Sequence, residues 1–296
     1  MESELRIDEQ MVKVDRPSLR TSSSRTAHML SVQSLALPAA ILLVVGFLLP
    51  VCFLVGSALR YDRQVVSIPV LLRVEWTTMK ISAIVGTAVT VVGTCIALLI
   101  RSCHPFQQRI ILALSVFPLG VNIAFRVFGV QVTIATAEVI GAHFHIGALL
   151  GRGESNLLFT QTATIIGLVH WLFPVAVLIL FSAVQNIRQD LTDSAALLGA
   201  PGVSVLLRVM LPSIASEIFL CFALTFCLAY GAYITPAALG GLGDITLSRL
   251  IGGLLNDGQA QNATIPALIG MVTPVAVFAA FAFLVRKLAY GTKSGI

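Results

Sequence analysis

Charged side chains are scarce here. Asp, Glu, Lys and Arg make up 11% of the 296 residues, against roughly a quarter in ordinary soluble domains. A soluble globule so poor in charge could not cover its surface; a chain facing lipid has no such need. Cysteines are few and odd in number, at 52, 95, 103, 221 and 227. Four of them lie within apolar runs, which argues against a disulfide framework and for reduced thiols acting as small apolar groups. No G-x-x-x-x-G-K-[ST] phosphate loop is present. The nearest string, Gly291-Thr292-Lys293-Ser294, has no glycine before its lysine, so ATP hydrolysis by this chain is not expected. His143-Phe144-His145 and Cys103-His104 have no further ligand at metal spacing. No Ser/His/Asp or paired-carboxylate set stands out, so neither a metal site nor catalytic residues are expected. The net charge of +5 comes without a basic stripe interleaved with aromatics, and it reads as membrane topology rather than nucleic-acid binding.

What is abundant is apolar: 57% of the chain. The apolar residues fall in long runs at 35–59, 76–100, 109–138, 157–182, 214–237 and 265–288. A helix needs roughly 20 apolar residues to cross a bilayer core, and in hydrocarbon only helices and closed barrels satisfy their own backbone. The runs lack period-2 alternation, which selects helices. The reading is an all-α polytopic membrane protein with about six transmembrane helices. Residues 1–33 are polar and read as a flexible cytoplasmic tail. The run 35–59 is too long for a signal core and has no small-residue cleavage site after it, so it is taken as the first span. A membrane domain over 34–290 and a short tail over 291–296 complete the division. With the N-terminus inside, the inner segments carry Arg6, Lys13, Arg16, Arg20, Arg25, Arg101, Arg109, Arg188, Arg208, Arg286, Lys287 and Lys293. The outer segments carry Arg60, Arg63, Arg73, Arg152 and Arg249. The positive-inside rule then places both termini in the cytoplasm.

One loop differs from the rest. Residues 183–213 read AVQNIRQDLTDSAALLGAPGVSVLLRVMLPS. Ile187, Leu191, Ala195 and Leu198 recur at helical spacing. Gly199 suits a helix C-cap and Pro201 the position after it. A second short helix is predicted from Val203 to Met210, with Pro212 separating it from the next span. An ordered helical hairpin projecting from a membrane bundle is a surface for docking.

This loop resembles the EAA loop of binding-protein-dependent ABC importer permeases of the MetI-like type. Asp193-Ser194-Ala195 stand where that family has Glu-Ala-Ala, Gly199 stands at its glycine, Val209 at its branched residue, and Leu211-Pro212 close the pattern. Three further segments resemble the spermidine/putrescine-type subfamily: PLGVNIAFR at 118–126, YITPAALGG at 233–241 and NATIPALIG at 262–270. In the last, Ala263-Thr264 replace the family's usual Trp-Pro. The resemblance implies a bacterial inner-membrane subunit forming half of a pathway for a small solute, first a polyamine or related amine. It implies a coupling loop made of Asp193, Ser194, Ala195, Ala196, Leu198, Gly199, Ala200, Leu211 and Pro212. It also implies partners: a separate ATPase dimer carrying ATP and Mg, a second and different permease chain, and a periplasmic solute-binding protein. Other solutes share much of the pattern, namely ferric iron, thiamine, aminophosphonates, opines, sulfate and molybdate.

Physically, small Ala195, Ala196 and Gly199 allow close approach to a partner, and Leu197 and Leu198 offer apolar area. Asp193 either pairs with a basic group on that partner or caps a helix turn. Arg126 with Asn122 one turn before it reads as a gate or pairing group, or as a snorkelling Arg near a span end. Tyr230, Tyr233 and Thr235 either line a translocation route or belong to an interfacial aromatic belt. Glu217 reads as a cap or pairing group at the start of the fifth span. Two other classes remain open: a secondary transporter, which expects coupling acids at mid-bilayer, and an intramembrane enzyme, for which no catalytic pair is seen.

Overall fold

The computed structural model describes residues 38, 41–46, 48–59, 66–143 and 157–291, with side chains undescribed at 138–143, at Ala196 and over 280–291. The tail 1–33, Arg60, Arg63, Phe144, His145, Arg152 and Lys293 lie outside the described residues. Every described element is helical. The chain divides into two units, Met1–Gly56 and Ser57–Ile296. The first is described through most of a helix, α1, Ile41–Leu59.

The second unit is built around α2, Ile68–Arg101, whose 34 residues extend about 50 Å at 1.5 Å per residue, longer than the roughly 30 Å hydrocarbon core. Ser67 precedes it in extended geometry and Pro69 sits in its first turn, where a missing N–H costs nothing. One face of α2 is buried from end to end: Leu71, Val74, Thr78, Ile81, Ser82, Val85, Val89, Gly93, Ala97 and Ile100. Three hydroxyls on this face are satisfied within the helix. Thr78 donates to the Val74 carbonyl at 2.8 Å, Ser82 to Thr78 at 2.8 Å and Thr94 to Thr90 at 2.7 Å.

Two helices close on that face. The first is α5, Gln161–Gln185, reached through α3, Pro105–Val116, and α4, Ile123–His143. The second is α8, Ala215–Tyr230. Close approach depends on small residues. An ideal Cβ on Gly93 would lie 3.1 Å from both Ala176 Cβ and Leu180 Cδ1 of α5. The core they form includes Val85, Val89, Leu168, Leu172, Ala176, Leu180, Val184 and Cys221.

Helix directions follow from two contacts. The Arg101 guanidinium donates to the Val184 carbonyl, so α2 and α5 end together and run the same way. The Tyr230 hydroxyl donates to Glu75 near the start of α2, so α8 runs opposite. The return between α2 and α5 is the α3–α4 pair, bent by 104°. His104 and Gln107 form a reciprocal capping box at the start of α3; His104 is thus a cap. A 3-10 turn at Phe117–Gly120 containing Pro118 makes the break, and the Asn122 side chain accepts from Ala124 N–H at 2.9 Å to start α4.

Past α8 lie a short helix α9, Ile234–Leu239, an amphipathic α10, Leu247–Asn256, and the long α11, Thr264–Gly291. Phe278 of α11 meets Phe226 edge-on at 5.4 Å and Phe219 at 6.2 Å. Three helices, α1, α2 and α5, are long and apolar enough to cross a membrane, or up to five if each bent pair is one passage. The sixth apolar run lies in α11, whose described apolar stretch is Thr264–Ala279. The run expected from 214 to 237 ends as a helix at Tyr230.

Gly93→Leu is expected to overpack the α2–α5 seam and to cost about 1–3 kcal/mol. Thermal unfolding of the detergent-solubilised protein measures it. Gly129→Leu, at a site with nothing within 4 Å of a new Cβ, is expected to leave the midpoint unchanged.

Candidate functional site

The 186–214 segment joins the ends of α5 and α8 at one end of the unit. Ile187 is buried and anchors it. Helix α6, Gln189–Leu197, follows, with Arg188 and Asp190 paired at 3.1 Å across its first turn. Gly199 adopts φ +75°, a left-handed conformation that strains any residue with a Cβ. Ala200 N–H then returns to the Ala195 carbonyl at 3.1 Å, closing the helix end as a Schellman-type cap does. Pro201 starts helix α7, Gly202–Ser213, and its carbonyl accepts from Ser204 at 2.8 Å.

This hairpin differs from its sequence reading in two respects. The stripe of Ile187, Leu191, Ala195 and Leu198 is split: Ile187 precedes the helix and is buried, whereas Leu197 and Leu198 are each 88% exposed at the tip. The second helix continues through Leu211 and Pro212, and the break falls at Ile214, with φ −114° and ψ 17°. A π turn over Leu206–Met210 makes this possible. Proline lacks an N–H and its ring crowds the carbonyl four residues back, and a widened turn relieves both. The Asp193 side chain is exposed and makes no hydrogen bond among the described residues, so of its two readings the cap is not the one formed. Ser194 accepts from Leu198 N–H through its carbonyl. Beyond the cap lie exposed Val203 and Leu207, so the hairpin presents apolar side chains to its surroundings at a turn locked by backbone bonds.

The opposite end holds the polar residues of the bundle. The Tyr230 hydroxyl lies 2.7 and 2.9 Å from the two Glu75 carboxylate oxygens, and its ring stacks on Phe226 at 6.1 Å. Ser248 donates to the Tyr230 carbonyl at 3.2 Å, and Leu247 N–H to Thr78 Oγ1 at 2.8 Å. Arg249 clamps the carbonyls of Gly240 and Gly241 at 3.0 and 2.8 Å. Tyr233 is partly exposed and its ring lies over Gly252. Thr235 is buried against Gly167.

Unmet hydrogen-bonding atoms concentrate at this same end. Arg126 Nε and Nη1, Gln161 Nε2, Thr235 Oγ1 and Thr246 Oγ1 are buried without a partner. Val127 of α4, Ala163 of α5 and Leu239 of α9 share a core, which brings the elements bearing Arg126, Gln161 and Thr235 together. Asn122 is spent on its cap and does not pair with Arg126 through its side chain. Glu217 accepts from Ser216 at 2.8 Å at the hairpin end.

Sequence reasoning missed Glu75, Gln161 and Thr246. Glu75 stands one residue before the expected start of the second span, because the apolar run was read from Trp76. Its signal was available: an acid seven residues inside a helix that begins at Ile68-Pro69. Groups of three or more metal-ligating residues are absent among the described residues.

The model of the family described as "binding-protein-dependent transport system inner membrane component" matches residues 90–290. The spermidine/putrescine transport system permease protein PotB of Haemophilus influenzae is 27% identical over 183 residues, 62% of this chain and 64% of the relative. The protein of the same name from Escherichia coli is 23% identical over 174 residues, 59% and 63% of the two chains. The chain thus spans less than two thirds of the length of these relatives. Among solved structures, one chain in a bacterial alginate ABC transporter in complex with an alginate pentasaccharide-bound periplasmic protein has a TM-score of 0.68 at 15% identity, covering 90% of this chain and 97% of its own. That likeness shows the fold.

Gly199→Val is expected to strain the hairpin tip by about 1–2 kcal/mol. Hydrogen exchange over 189–201 is expected to quicken several-fold while exchange in α2 stays unchanged.

Proposed function

The chain belongs to the family of binding-protein-dependent transport system inner membrane components, and we propose that it is a permease subunit of an ATP-driven importer, forming half of the solute pathway. The observation that carries this is the hairpin tip. Two leucines held 88% exposed beside a locked cap are a poor surface for water and a good knob for a groove. Each is worth about 1.5–3 kcal/mol when fully buried. A rigid knob of this kind transmits a partner's motion, whereas a flexible loop absorbs it. The occupant is a separate ATPase dimer, since no phosphate loop exists in this chain. The hairpin end then faces the cytoplasm, together with both termini, as the distribution of Lys and Arg favours. The polar end faces the other side, where a solute-binding protein delivers its cargo, and a second, different permease completes the pathway. The chain acts as a transport subunit and holds no cofactor of its own.

For the solute, a polyamine or related amine is favoured by the PotB relatives and by the carboxylate of Glu75. A second reading, an oxyanion or other oxygen-rich solute, is favoured by the buried, unpartnered donors of Arg126 and Gln161.

Two outcomes are expected. Replacing Leu197 and Leu198 together by Asp reduces ATPase recovered by co-purification at least about tenfold, consistent with the loss of two buried leucines, without lowering the amount of subunit in the membrane; equal recovery contradicts the docking role. In uptake assays of the assembled transporter, spermidine and putrescine are carried and sulfate is not. Sulfate uptake that Arg126→Gln abolishes moves the second reading to the front.

A further inference from the structure

Glu75 is an acid placed two turns inside the longest apolar helix of the bundle. An acid in an otherwise apolar helix is a candidate for function. Tyr230 approaches both of its oxygens, yet a phenol has one proton and a carboxylate about four acceptor positions. Among the described residues, most of the acceptor capacity of Glu75 is therefore unspent. No cation meets it: the only ion pair among the described residues is Arg188–Asp190, at the other end of the unit.

The surroundings suit a positive ligand. Tyr230 is 4% exposed and stacks on Phe226, so the hydroxyl edge of a stacked aromatic pair meets the carboxylate. Thr246 is 3% exposed and its hydroxyl has no partner. It adjoins Leu247, whose N–H is tied to Thr78, and Thr78 lies one turn beyond Glu75 on α2. The Glu75 carboxylate, the Tyr230 hydroxyl and the buried, unpartnered Thr246 hydroxyl thus all lie in the region where α2, α8 and the 240–246 loop join. Glu75 itself is only half-buried, so a ligand can reach it.

We infer that Glu75, steered by Tyr230, is a station for an ammonium group on the translocation route, with Thr246 accepting a second N–H. A primary ammonium has three donors and no acceptor, which matches a site offering oxygen atoms and one negative charge. A divalent cation is a worse match, since it needs more oxygen ligands than one carboxylate and neutral hydroxyls supply. The inference rests on the amine reading above and deepens it.

The test uses the assembled transporter in proteoliposomes, with radiolabelled putrescine and spermidine as probes. Glu75→Gln keeps the volume and an acceptor for Tyr230 but removes the charge. It is expected to cut uptake of both amines about tenfold or more, chiefly through a raised KM, with membrane abundance unchanged. Glu75→Asp keeps the charge and is expected to restore most of the uptake. Wild-type uptake by Glu75→Gln overturns the inference and leaves the amine reading standing. Equal loss in Glu75→Gln and Glu75→Asp, with less protein in the membrane, assigns Glu75 to structure and also overturns it. If the unaltered transporter carries neither amine, the amine reading fails and the station falls with it.

Discussion

A peptide group left unbonded in hydrocarbon costs several kcal/mol, and this cost shapes every element of the protein. Each long helix answers it internally. The Thr78, Ser82 and Thr94 hydroxyls on the buried face of α2 answer it too, by returning to the carbonyl one turn back, while Thr90 reaches Cys221 Sγ of α8 at 3.9 Å. Once backbone and hydroxyls are closed on themselves, little beyond shape draws helices together in lipid. That role falls to Gly86 and Gly93, which let Phe222, Ala176 and Leu180 approach α2 at van der Waals distance. The directions of α5 and α8 relative to α2 then put the 186–214 hairpin at one end and the polar loops at the other.

The same cost gives meaning to the places where helices break. The bend between α3 and α4 is closed by Asn122 accepting from Ala124. The hairpin tip is closed by Gly199 in a left-handed conformation and by Ala200 bonding back to Ala195. Past α9, Arg249 takes up the carbonyls of Gly240 and Gly241. Against this background, the few buried polar atoms left unmet among the described residues stand out, and they lie at the end opposite the hairpin. A bundle that closes its polar groups elsewhere and leaves Arg126, Gln161, Thr235 and Thr246 open there has polar capacity in reserve for a ligand or a partner chain.

Much of this was legible in the residues. The apolar runs marked the helices because burial in lipid leaves a signal that depends only on length. The Gly199–Pro201 pair marked the end of α6 because only a few residues tolerate that backbone. What periodicity could not show is which leucine faces what. Leu198 belongs to the helical stripe on paper, yet Ile187 lies outside the helix and takes the buried position. Pro212 looked like a boundary, but the π turn before it absorbs the proline and moves the break to Ile214. Glu75 was hidden by the habit of starting a span after its last charge. Its partner Tyr230 lies 155 residues away, and no local pattern announces a pairing of that separation. Helix α10 went unforeseen because its ten residues fall well short of the roughly 20 apolar residues that mark a span.

The account joins a rigid apolar knob at one end to a polar vestibule at the other through three closely packed helices. Its central claim is that the hairpin tip seats in an ATPase. The most direct measurement is a single-particle structure of the complex purified with its partners in a lipid nanodisc. The account predicts Leu197 and Leu198 buried in a groove of a nucleotide-binding subunit, with Gly199 still at positive φ. A tip lying free in solvent, or packed against lipid or the chain's own helices while the ATPase is bound elsewhere, would contradict it.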